Sequence, residues 1–199
     1  MIKSNANKRR DFVALFNALW YRDFPVTPGH EKFGKRAVWT THIASIVKQC
    51  ADLMGLYTCF ESGGRTDAVI QTSSSEIWAK IEWEWSQPRS EKVNEFDKLA
   101  ASANESELLI YIGYSRSEHH EENLLKISNT WTNVKTPLLV FLVTFSFHSK
   151  RRHFDLLQTH YFKDGKRKLL RRQPALPWQV IGTKWALLAN SSVNTDETQ

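Results

Sequence analysis

The chain has 199 residues, a formal net charge of +6 and a pI near 9.3. That length admits one domain with its own core, and 41% hydrophobic with 24% charged residues excludes a globally disordered chain. The positive balance favours an anionic partner, nucleic acid before a membrane surface.

Residues 1–10 read as a loose basic start. Phe12 to Tyr21 is predicted as a helix, with Phe12, Leu15, Phe16 and Leu19 at helical spacing. Pro25, Pro28 and Gly29 then break the chain, and residues 22–37 are expected to form a loop or arm. A second helix is predicted from Trp39 to Met54, ended by Gly55. Leu56–Phe60 has the composition of a strand. Pro88 is placed in the first turn of a third helix whose inner side is Val93, Phe96, Leu99, Ala100 and Ala103. The nearly all-apolar Leu108–Tyr114 is expected to be a strand covered on both faces. Ser117 is read as the cap of a helix reaching Trp131, with His119-His120-Glu121-Glu122 as its exposed first turn. Leu138–Phe147 is a further buried strand. His153–Phe162, the turn Asp164-Gly165 and Lys166–Leu170 form a hairpin. Residues 190–199 are polar and expected to fray.

The longest apolar run, 137–147, is too short to cross a bilayer and contains Thr144 and Ser146. The charged start lacks the apolar stretch of a signal peptide. Cys50 and Cys59 show neither CxxC spacing nor a nearby histidine pair, which predicts reduced, packed thiols. A cytoplasmic chain without a membrane partner is therefore expected.

The stretch from Gly63 to Trp85 carries the chemistry. Gly63-Gly64 reads as a turn feeding a strand that opens with Asp67 and continues as Ala68, Val69 and Ile70. After a polar turn the next strand alternates, with Ile77, Ala79, Ile81, Trp83 and Trp85 on one face. Glu76, Trp78, Lys80, Glu82 and Glu84 fall on the other, where Trp78 is placed to stack a base. Clustered carboxylates repel unless a proton or a cation shares the site. Asp67, Glu82 and Glu84 therefore predict a site for a hard divalent ion, Mg²⁺ or Mn²⁺, in preference to a solvated hairpin. Glu61 reads as a solvated strand end.

Strand runs alternating with helices give an α/β class, a mixed central sheet flanked by helices, with a basic hairpin added at the C-terminal end. This order, with Asp67 opening one strand and Glu82-Trp83-Glu84 in the next, resembles the PD-(D/E)xK, restriction-endonuclease-like nucleases. The resemblance covers roughly residues 39–147 and implies an αβββαβ core, with Asp67 as the acidic residue of the motif's first half and Glu82 and Glu84 as the pair of its second half. Thr66 stands where the family has proline, and Glu84 where it usually has lysine, as in some type II restriction enzymes. The activity implied is Mg²⁺-dependent hydrolysis of DNA phosphodiesters. Asp67, Glu82, Glu84 and the Trp83 carbonyl would hold the ion, and Glu84 would serve as ligand or base. Lys80, on the same face, would supply the positive charge the missing lysine leaves out. The chain then divides into an N-terminal helix and basic arm (1–36), a nuclease-like domain (37–189) and a tail (190–199). The alternative is a catalytically inactive nuclease-fold DNA-binding module, or a subunit of a larger nucleoprotein complex. A homodimer or a partner protein is compatible with either.

Lys150, Arg151, Arg152, Lys163, Lys166, Arg167, Lys168, Arg171 and Arg172 concentrate positive charge in the last quarter, interleaved with His153, His160 and Tyr161. They are expected to contact DNA phosphates. Lys8, Arg9 and Arg10 with Lys32, Lys35 and Arg36 form a lesser basic group.

Overall fold

A computed structural model describes residues 4–28, 36–62, 66–90, 94–148 and 151–187. In chain order the elements are α1 (Asn5–Arg22), α2 (Arg36–Leu53), β1 (Tyr57–Ser62), β2 (Thr66–Gln71), β3 (Ile77–Glu84) and α3 (Glu95–Ala101). They continue as β4 (Leu108–Arg116), α4 (His120–Thr130), β5 (Leu138–His148), β6 (Arg151–Lys163) and β7 (Lys166–Pro174). All seven strands form one sheet in sequence order. The β3/β4 and β4/β5 pairs are parallel and the other four antiparallel. Each parallel step needs a crossover, and α3 and α4 supply them. Both steps move the same way across the sheet, so a shared right-handed turn puts both helices on one face.

The sheet separates two cores. On one face α1 and α2 bury Phe12, Phe16, Trp20, Trp39 and Ile46 against Ala68, Ile81, Ile110 and Phe141. On the other, Phe96 and Leu99 of α3 and Leu124 and Ile127 of α4 pack on Leu109, Tyr111, Val140 and Phe162. β4 lies between both layers and is buried from Leu108 through Ser115. A helix-flanked mixed α/β sheet is thus the fold, as the sequence implied. Among the described residues no helix is long and apolar enough to cross a membrane.

The hairpin is not an addition to this sheet. β6 pairs with β5 from Leu138↔Phe162 to His148↔Arg151, and it buries Phe154, Leu157 and Phe162 in the two cores. Asp164 and Gly165 turn it back, both at positive φ (50° and 69°), the combination a two-residue hairpin turn needs.

Several sequence expectations shift. Residues 5–10 of the basic start are already helical, because the Ser4 hydroxyl accepts the Asn7 N–H at 3.4 Å and caps α1. Arg9 in its second turn lies over the Tyr161 ring, 4.3 Å from the centroid, and donates to its hydroxyl. Within 22–37, Arg22 belongs to α1, Arg36 and Ala37 belong to α2, and residues 29–35 lie outside the described residues. Helix α3 starts at Glu95; Pro88, Arg89 and Ser90 form a turn instead, held by Asn123 Oδ1 accepting the Arg89 N–H. Ser117 does not cap α4. Its hydroxyl bonds Asp155 and the Phe145 carbonyl, and a 3-10 turn, Ser117–His119, precedes the helix.

Helix α1 is tied to the far end of the chain. Trp20 Nε1 donates to the Ala175 carbonyl at 2.8 Å, the Tyr21 hydroxyl to the Pro174 carbonyl, and Gln173 Nε2 to the Asn17 carbonyl at 3.1 Å. Cys50 is buried and its thiol is pushed up to about 12 by burial; Cys59 is partly exposed, and both are free. Residues 190–199, Gly63-Gly64, Val93, Lys32, Lys35 and Lys150 lie outside the described residues.

Candidate active site

β2 and β3 are in register with Ala68 opposite Ile81. The next step brings Asp67 opposite Glu82, on the α3 face, and cross-strand neighbours on one face touch. The Trp83 N–H donates to Asp67 Oδ2 at 2.7 Å, fixing that carboxylate. In an extended strand the N–H and C=O of one residue leave on the same side, so the Trp83 carbonyl also points toward β2.

Glu82 is 3% exposed. Burial first, then the neighbouring Asp67 carboxylate, raise its carboxyl to about 8, against the pull of Lys98. The protonated Glu82 donates to Asp67, whose own carboxyl is raised by burial and eased by the Trp83 N–H, Glu82 and Lys98. Burial and mutual repulsion thus raise both carboxyls and favour a proton or a cation between them.

Three groups the sequence reading left out complete the surroundings. Glu95, at the start of α3, is 8% exposed; its Oε2 has no partner and its Oε1 meets Lys98 Nζ at 3.4 Å. It raises both Asp67 and Glu82, while Lys98 lowers both. Tyr111, beside Glu82 on β4, packs on Phe96 and keeps its buried hydroxyl unpartnered. Gly113 makes room for that ring, since a Cβ there would come within 2.6 Å of the Tyr111 hydroxyl. Glu95 was legible as the residue one helical turn before Leu99, already assigned to the inner side. Tyr111 offered no signal, being one aromatic in an apolar run.

The predicted trio does not assemble as such. Glu84 turns to other partners, accepting the Ser86 N–H at 2.9 Å and pairing with Arg36 of α2 at 3.3 Å. With Asp67 it lines a niche of about 160 Å³ walled by Trp39, Trp83, Trp85 and Tyr114. Lys80 is 2% exposed and pairs with Glu105, in the turn after α3, so it is not the charge for the acid pair; Lys98 takes that place. Trp78 is not on the acidic face. A bulge in β3, where Ile70 faces Ala79 but Gln71 faces Ile77, rotates Trp78 into the α1 core against Phe12 and releases Ile77 from it. Glu61 is exposed at the end of β1, as expected.

The basic hairpin divides between the faces. Lys168 and Arg171 pair opposite Tyr161 and Thr159, whose side chains meet α1, while Arg167 and Arg172 pair opposite Phe162 and Gln158 on the α4 face. Arg167 bonds Glu121 at 3.0 Å and Arg171 bonds Gln173 at 2.6 Å. Arg152 is spent in packing, stacked 4.2 Å from the Trp85 ring centroid and 4.5 Å from that of Phe145. Lys163, Lys166 and Lys168 are exposed. Arg151 lies in β6 and pairs opposite His148.

A mixed α/β sheet with Asp67 and Glu82 facing each other across β2 and β3 is what fold and site define. The chain matches no protein-family model and no curated protein. Among solved structures it is similar to the YaeQ protein from Xanthomonas axonopodis pv. citri, at 11% identity over 64% of this chain and 76% of that one, with a TM-score of 0.33. It is also similar to the YaeQ protein from Pseudomonas syringae, at 11% identity over 59% and 67%, with a TM-score of 0.29.

Proposed function

We propose that the chain is a metal-dependent phosphodiester hydrolase acting on DNA, with Asp67 and Glu82 holding the ion. The observation that carries this reading is Asp67 set opposite the buried Glu82, two neighbouring carboxyls that burial makes costly to ionise and that a cation would relieve. The donor set fits Mg²⁺ or Mn²⁺: two hard carboxylates, the Trp83 carbonyl on the β2 side of β3, and the orphaned Glu95 Oε2, whose charge raises both acids. Among the described residues no three His, Cys, Asp or Glu side chains surround one point. Waters and substrate phosphate oxygens would complete the shell, the usual habit of Mg²⁺.

When bound, the ion supplies a water of lowered pKa and relief of charge on the phosphate. The residues do the rest. The Trp83 N–H aims Asp67, β3 holds Glu82 on a rigid strand, and Lys98 offsets part of the negative charge. Glu84, braced by Arg36 and Ser86, stands two residues along the strand as the candidate proton acceptor. Exposed Lys163, Lys166 and Lys168 would be among the cations that meet a DNA backbone.

The test is plasmid cleavage by the purified chain with Mg²⁺, Mn²⁺ or chelator, for wild type, Asp67→Asn and Glu82→Gln. Nicking or linearisation that needs the metal and falls by orders of magnitude in both variants supports the reading. Equal cleavage by all three proteins refutes it. Metal-independent DNA binding without cleavage would favour a nuclease-fold binding module, the reading suggested by Glu84 lying where the family usually has lysine.

A further inference from the structure

A second groove of about 650 Å³ lies on the same face of the sheet, where the start of α4 meets β6 and β7. His160 stands in the same lateral row as Glu82, through Tyr111 and Val140. Three strand spacings, roughly 14 Å, separate the two.

His160 is 3% exposed, and neither ring nitrogen has a partner. An imidazole always carries at least one N–H, so a buried donor faces this groove unmet. The His120 ring lies 5.8 Å away; its Nδ1 meets Ser115 Oγ at 3.0 Å, and the Gln158 side chain lies against the ring without a close hydrogen bond to Nε2. The carboxylates around the groove are already engaged. Asp155 accepts from Ser117 and Ser146, Glu118 pairs with Arg116 and His119, and Glu121 pairs with Arg167. Arg172 has no ion pair among the described residues. The first turn of α4, beginning at His120, adds the positive end of a helix.

We propose that this groove binds a phosphate group, received by the ring N–H donors of His120 and His160 and by the guanidinium of Arg172. Two neutral imidazoles would also suit a transition metal, but Arg172, which has no ion pair among the described residues, repels a cation and attracts an oxyanion. Burial first, then His120 and Arg167, hold His160 down to about 3, so it meets a ligand as a neutral donor at physiological pH. Burial first also lowers His120, with Arg167 and Arg172 adding to the effect and Gln158 and Glu121 opposing it. The proposal uses none of the residues of the acid pair and stands or falls without it.

The test follows the histidine ring protons by NMR in the full chain while inorganic phosphate replaces chloride at constant ionic strength. A parallel titration uses a short oligodeoxynucleotide in chelator. Saturable movement of the His120 and His160 signals with phosphate is expected. Arg172→Gln, an exposed change that leaves both histidines in place, should weaken it by at least about tenfold, the loss of one charge-assisted contact. Movement with both probes, or with the oligonucleotide alone, identifies a nucleic-acid phosphate; movement with phosphate alone identifies a free phosphate or small phosphoester. If neither probe moves these signals, or if Arg172→Gln responds as wild type does, the proposal is wrong.

Discussion

Replacing Glu82 by glutamine should make the metal-free protein more stable. Folding carries this carboxyl from its ordinary value of about 4.3 to about 8. A group raised on folding contributes its full stability below the unfolded value and loses it as pH rises toward the folded one. At pH 7.5 the unfolded chain has released the proton and the folded chain has mostly kept it. The cost is then up to about 4 kcal/mol, at roughly 1.4 kcal/mol per unit. Glutamine is neutral in both states and avoids that cost, yet its amide still donates to Asp67. Because Asp67 keeps its own burial penalty and Glu95 remains close, we expect a net gain of about 1–3 kcal/mol, or a Tm higher by several degrees. The assay is thermal melting in chelator from pH 4 to 8.5. The gain should be absent near pH 4, grow through neutrality and level off above 8. Adding Mg²⁺ should raise the wild-type Tm by mass action and leave the variant almost unmoved. A variant less stable than wild type at pH 7.5 would refute the argument, because Glu82 would then be a satisfied structural partner rather than an unrelieved charge.

Three further outcomes are expected. Glu105→Gln leaves the buried Lys80 ammonium without its counter-charge and should cost roughly 1–3 kcal/mol in denaturant unfolding; an unchanged midpoint would show that Lys80 reaches water. His42, boxed by Trp20, Phe24 and Trp39, is held down to about 4 chiefly by burial, so its contribution is intact above pH 6.5 and lost as pH falls toward 4. His42→Gln should flatten that acid limb by up to about 1.4 kcal/mol per pH unit, and a slope equal to wild type would acquit His42. Phe141→Ala, which empties a site packed 4.1 Å from the Phe16 ring centroid, should cost about 3–5 kcal/mol by calorimetry or urea titration; a loss below 1 kcal/mol would mean the core collapses around the gap.

The sequence made the architecture readable where a period survives. Helix α2 and strands β4 and β5 carry their apolar patterns almost to their ends, and Asp164-Gly165 announces its turn. Strand β3 was readable only from Ala79 onward, because a bulge adds a residue without leaving any mark in composition. Trp78 and Ile77 consequently exchange places. At the site, Asp67 and Glu82 follow from strand alternation and pairing alone. Glu84 was placed with them by the same alternation, yet the strand ends there and the side chain is free to turn to Arg36. Lys80 and Glu105 are 25 residues apart, and nothing local reveals that contact. His120 was assigned to a solvated turn because its neighbours are charged. A 3-10 turn ahead of α4 rotates it inward, and such a turn depends on tertiary packing rather than on residue type.

The bonds that tie α1 to residues 173–175 also bear on how the chain is born. They span 153 to 156 positions, so α1 is synthesised long before β7 and the residue after it complete its seat. Until then Phe12, Phe16 and Trp20 form an apolar stripe with nothing finished to cover it. Closure over such separations is slow compared with helix formation. Removal of β7 should therefore leave α1 the most protease-sensitive of the described helices.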